Sequence, residues 1–187
     1  MSGVQATFFE IPPLVDPWRV TDKGNQEARA LADRHYTRQS PGDPKWTRPG
    51  FNFVLIAEDE RGRVGAVWVW WRPKWEAGIE RKDKLRAIEC TIFRNERRNR
   101  WLSSDLVRAA VAALDTDAAR RELAGIVDPP DGLITGIGVD ETRRGRGRKS
   151  KPGACYRAAG WVEFEHRGGR ADVWLRASKG EANADAA

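Results

Sequence analysis

Two apolar runs, FNFVLIAED (51–59) and RVGAVWVWWRP (63–73), meet across the short turn Asp59-Glu60-Arg61-Gly62. No other feature limits the fold of this chain so strongly. Runs of that length, rich in β-branched and aromatic residues and broken by a Gly-containing turn, form a β-hairpin. A third run, LRAIECTIFRN (85–95), alternates imperfectly and extends the hairpin to a three-strand meander. The charged stretch 74–84 between the second and third runs reads as an exposed connection.

The flanking elements follow from helix and turn signals. Asn25 to Tyr36 holds good helix formers, with Ala28, Leu31, Ala32 and Tyr36 along one stripe. The next segment, TRQSPGDPKWTRPG (37–50), has three prolines and two glycines and is a loop. Leu102 to Leu114 is an amphipathic helix that Ser103 or Ser104 can cap, with Asp105 at the positive end of its dipole. LITGIGV (133–139) is a buried strand, Pro152–Ala159 a short helix, and WVEFEH and ADVWLRA a hairpin turning through 167–170. Residues 1–20 suggest an edge strand or arm, and the tail from Ser178 is expected to be disordered. A length of 187 residues fits one domain, expected over 1–177.

Nine Trp and six Phe are enough to fill a core and leave some rings over to line a cleft. The net charge of +6 equals the six cations of one loop: Arg143, Arg144, Arg146, Arg148, Lys149 and Lys151. Two glycines in that loop allow it to follow a phosphate backbone; a solvated charge run is the plainer alternative. Cys90 and Cys155 lack metal-ligand spacing and read as reduced thiols. The N-terminus lacks a signal-peptide pattern, and no apolar run approaches the roughly 20 residues that span a bilayer, so a soluble protein is expected.

Four segments taken together carry a resemblance: HYTR (35–38), FRNE (93–96), LSSDL (102–106) and PGACYRAAGW (152–161). The last is similar to the helix-then-strand signature of the Gcn5-related acyltransferases, and the combination resembles the phage Mom family across about residues 30–176. The resemblance implies an α+β fold of the Gcn5-related N-acetyltransferase type, a splayed mixed sheet flanked by helices. It implies transfer of a carbamoylmethyl group to N6 of adenine in double-stranded DNA, in the cytoplasm of a bacterial host, as protection against restriction. The superfamily's glycine-containing pyrophosphate loop is missing; RNERRNRWLSS (94–104) stands in its place. The donor is therefore open between an acyl-CoA type and another small activated group. Two other functions stay in view: an acetyl-CoA-dependent N-acetyltransferase of a small amine or protein, and a DNA-binding protein without chemistry.

On this resemblance, His35, Tyr36, Asp140 and Tyr156 are candidate catalytic residues. Arg94, Asn95, Ser103 and Ser104 are candidates for holding the donor, the serines through the amides of a helix start. Arg38 and Trp46 join the basic loop as candidate DNA contacts. A flipped adenine would stack on Tyr36, Trp46 or Trp75. His35, Tyr36 and Asp140 could also hold iron, since imidazole and carboxylate suit such metals. Each has a plainer alternative: His35 as a helix C-cap, Asp140 as a turn residue, Tyr156 as a packed core ring. Glu89, inside an apolar strand, is a base of raised pKa, a solvent-facing carboxylate or the partner of an arginine.

Overall fold

The computed structural model describes residues 16–38, 40–96, 100–138, 151–166, 171 and 173–177. The expected arm before residue 16, Asp140, the loop cations Arg143, Arg144, Arg146, Arg148 and Lys149, the 167–170 turn and the tail lie outside them. The described chain is α+β, with a seven-stranded mixed sheet in the order β1-β2-β3-β4-β5-β7-β6. The strands are β1 (Trp18–Thr21), β2 (Phe51–Glu58), β3 (Val64–Arg72), β4 (Ile88–Asn95), β5 (Leu133–Ile137), β6 (Trp161–Glu163) and β7 (Val173–Ala177). The helices are α1 (Gln26–Asp33), α2 (Ser103–Ala112), α3 (Asp117–Glu122) and α4 (Ala154–Ala158). No helix of the described residues is long and apolar enough to cross a membrane.

The apolar runs of the meander β2-β3-β4 pair antiparallel, with one register irregularity in each pairing, at Ala57/Glu58 and at Val69/Trp70. Those runs are continuously apolar because both faces of the sheet are covered. On one face Val54, Ile56, Val67, Val69 and Ile92 pack with Ala28, Leu31 and Ala32 of α1. On the other, Phe53, Leu55, Trp68, Trp70 and Ile88 meet Leu106, Val107 and Ala110 of α2. Each such aliphatic side chain contributes roughly 1.5–3 kcal/mol of burial. Trp18 and Trp70 add direction: their indole N–H groups donate to the Leu106 and Ala110 carbonyls, each at 2.9 Å. These carbonyls are four residues apart, on one stripe of α2, so the two indoles bolt that stripe to the sheet.

Several expected boundaries move. The helix expected to reach Tyr36 stops at Asp33, and Asn25 is its N-cap, accepting from the Ala28 amide at 2.9 Å. Neither Ser103 nor Ser104 caps α2: Leu102 occupies the N-cap position, and among the described residues there is no side-chain cap hydrogen bond. The last turn of the expected Leu102–Leu114 helix is 3-10 over Ala113–Asp115. The third strand begins at Ile88 rather than Leu85. One helix is unexpected: α3, which Thr116 caps and the buried Arg72 anchors by donating to the Leu123 carbonyl at 2.7 Å.

Candidate active site

β4 and β5 run parallel and pair at only three positions: Ile88 with Leu133, Glu89 with Ile134, Cys90 with Thr135. Beyond Cys90, β4 continues to Asn95 beside β3, with an irregularity in that pairing next to Thr91. β5 continues to Ile137 beside β7. Among the described residues the two strands share no pairing past this point, so the sheet parts there.

At the apex, the Thr135 hydroxyl donates to the Cys90 carbonyl at 3.1 Å. The Tyr156 hydroxyl lies 3.3 Å from Cys90 Sγ. Tyr156 is 7% exposed and wedged among Trp68, Phe93 and Trp161, at centroid distances of 5.9, 6.0 and 5.1 Å. Burial holds its phenol well above the ordinary tyrosine value, so it stays protonated and can donate. Burial likewise pushes the Cys90 thiol up, and Cys155 to about 11, so neither is a thiolate nucleophile at neutral pH.

The opposite face holds the end of α1. Glu96 accepts Arg34 as a fork, both bonds at 2.8 Å, and Arg94 Nε at 2.7 Å. Arg94 also donates to the Arg34 carbonyl at the C-cap of α1. This network sets the next two residues near the parting. The Tyr36 hydroxyl reaches the Gly136 carbonyl of β5 at 3.4 Å, and its ring leans on His35 at 4.4 Å. Burial first, and Arg94 second, lower His35 to about 4, so the imidazole is neutral near pH 7. Its Nδ1 lies 2.8 Å from the Thr37 hydroxyl and accepts the Thr37 amide at 3.3 Å, which puts the ring proton on Nε2.

The expected residues separate accordingly. Tyr156, His35 and Tyr36 gather at the parting, on its two faces. Arg94 and Asn95 point opposite ways. Arg94 serves α1, contrary to its expected place with the donor, because Glu96 and the Arg34 carbonyl engage it. Asn95 faces α2 and donates to the Trp101 carbonyl at 3.0 Å and Ser103 Oγ at 3.2 Å, fixing the approach to that helix. Ser103 and Ser104 open α2, which has no side-chain cap hydrogen bond among the described residues.

Three expected DNA or base contacts have other tasks. The Arg38 side chain is 9% exposed, pairs with Asp33 at 2.7 Å and donates to the Ser40 carbonyl, tying the loop to α1. Trp46 is 3% exposed beneath α1, its N–H given to the Lys23 carbonyl, so it offers no face to a base. Trp75 sits past the closed end of the β3–β4 pair with Arg72 and Arg86 against its ring. Lys151 is exposed. The described residues contain no group of three or more His, Cys, Asp or Glu able to hold a metal. With Nδ1 of His35 engaged by Thr37, only Nε2 is left to a metal.

Glu89 is an ion-pair partner. Its Oε2 accepts Arg48 at 2.7 Å and also Arg81, which forks onto Asp83 at 2.9 and 2.6 Å. His166 Nε2 lies 3.0 Å from Asp83. Arg48, Arg81, Asp83 and His166 are not among the residues expected at a site. Their only signal was a carboxylate in an apolar strand, which needs a cation without saying which. Comparison with models of known families, with curated proteins and with solved structures yields no match.

Proposed function

We propose that this chain is a transferase of the Gcn5-related type that modifies N6 of adenine in DNA in the manner of the Mom family. The reading rests on the four-segment resemblance and on one structural observation, the parting of β4 from β5 after the Cys90–Thr135 pair. A splayed parallel pair of this kind is where that fold holds its donor. The uncapped start of α2 suits an anionic donor group, since helix N-terminal amides attract negative charge. In this scheme Tyr156, kept protonated by burial, gives its proton to the leaving group. Asp140 takes the proton that the adenine amine loses when its nitrogen bonds the transferred carbon. The base approaches from the α1 face, past Tyr36.

The test is expression in a bacterial host, digestion of its DNA to nucleosides and mass spectrometry. A fraction of the adenines should be heavier by a carbamoylmethyl group. Unmodified nucleosides from cells holding abundant folded protein would overturn the assignment. A second reading, an acyl-CoA-dependent transferase of a small amine or protein, draws on the same uncapped helix start. It requires acetyl-CoA turnover with DNA left unmodified.

A further inference from the structure

In the loop before β2, Arg38 and Trp46 are spent on α1 and Lys23, but Arg48 is placed differently. The backbone around it is pinned twice. The Arg48 carbonyl accepts the Asn52 side-chain amide at 3.1 Å, and the Pro49 carbonyl accepts the Trp71 indole N–H at 2.9 Å. The guanidinium packs over the Trp71 ring, 5.0 Å from its centroid, and its Nη1 donates to Glu89 Oε2 at 2.7 Å. Glu89 and Trp71 face each other across β4 and β3. Both lie on the α1 face, because their neighbours Cys90 and Trp70 belong to the cluster under α2. Glu89 is also one residue short of the last β4–β5 pair. Arg48 therefore stands beside the parting, on the face from which Tyr36 reaches β5.

The anchoring leaves one edge of the guanidinium open. Nη1 is spent on Glu89, while Nε and Nη2, two parallel donors, bond nothing among the described residues. Arg34, Arg38 and Arg63 spend that same edge on carboxylates. Arg100 keeps it, yet leans on Glu60, a carboxylate 81% exposed, and such solvated pairs are weakly held. The Arg48 side chain is 48% exposed and Glu89 beneath it only 4%. Arg81, against the rings of Trp71 and Trp174, is buried with Asp83 and Glu89. The network is balanced inside and turns a cation to solvent. Two parallel N–H donors on a held cation match two oxygens of one phosphate. Little side-chain freedom is left to lose on binding.

We infer that Arg48 grips a backbone phosphate through its Nε–Nη2 edge, with Glu89 and Trp71 as positioning residues. That the phosphate belongs to the DNA strand passing Tyr36 rests on the proposed function.

The test is equilibrium binding of the full chain to a short adenine-containing duplex across salt concentrations, without turnover. Arg48→Gln should lower the slope of log affinity against log salt by about 0.9, the share of one phosphate contact, whatever the duplex sequence. Arg48→Met, which keeps the stem over Trp71, is the second variant and should act alike. Arg48→Lys, with the charge but not the fork, should restore the slope and only part of the affinity. Duplexes with a single uncharged methylphosphonate should reveal one position that weakens the wild-type chain and leaves Arg48→Gln indifferent. Circular dichroism checks that each variant is folded at the assay temperature. An unchanged slope in the folded variants, or a loss confined to one base at one position, overturns the phosphate contact. The two readings fail separately: a lowered slope with unmodified cellular DNA keeps the contact and ends the modification reading. Modified DNA with an unchanged slope does the reverse.

Discussion

Glu89 sits between two guanidinium groups, its Oε2 accepting from both Arg48 and Arg81. Glu89→Gln should leave Arg81 leaning on Asp83 alone, at a cost of about 3 kcal/mol, the low end for breaking a buried pair. At roughly 2–4 °C per kcal/mol for a chain of this size, the melting midpoint should fall by about 6–12 °C. Calorimetry checks it. Tyr156→Phe should behave otherwise, lowering modification about 10²-fold or more, as for a lost general acid, with only about 1 kcal/mol of stability lost with its hydroxyl. Mass spectrometry of nucleosides beside a urea melt separates the two losses. Acid should destabilise the protein by two routes of the same sign. Glu96, held at about 2 by the Arg34 hydrogen bonds, contributes stability that is full above its ordinary 4.5 and lost as pH falls toward 2. His35 resists protonation down to about 4 while the unfolded chain takes the proton near 6.5, so stability falls between those values. With only two histidines in the chain, an NMR titration should find His35 near 4; a midpoint near 6.5 would contradict its burial. At this scale the sequence pointed to Tyr156 but not to the Cys90 and Thr135 groups beside it. Trp46 resembled a spare ring because the loop bearing it gave no hint of folding under α1.

Elements were more legible than their ends. The meander could be read because two covered faces demand unbroken apolar runs. The caps could not, because a serine at a helix start caps only if the backbone before it allows, and here Leu102 holds that place. Helix α3 escaped because six residues are too few to show a period, and its anchor, Arg72, lies 51 residues away in sequence. The indole pair on α2 ties that helix to the sheet. Trp70→Phe removes the bond to Ala110 and part of the ring, and should cost about 2 kcal/mol, a bond of about 1 plus lost packing. A shift of the urea midpoint with unchanged slope verifies it; no shift would mean that α2 is held by its apolar face alone.

For the whole molecule, the sheet keeps two apolar clusters apart, one beneath α1 and one beneath α2 and α4. The proposed base approach and donor share only the edge where β4 and β5 part. The basic loop follows β5, and replacing Arg143, Arg144, Arg146 and Arg148 with Gln should weaken duplex binding regardless of sequence. Four lost phosphate contacts would reduce the slope of log affinity against log salt by roughly 3.6. Activity should return at low salt; an unchanged slope would leave the loop merely solvated. The strand order carries a further consequence, for synthesis. β7 is wedged between β5 and β6, both of which precede it in the chain, so a chain leaving the ribosome N-terminus first cannot join those strands until residues 173–177 emerge. Until then Gly136 faces no Trp174. A nascent chain can thus assemble the meander and α2 early, yet cannot complete the far wall of the parting while the ribosome still holds the last strand.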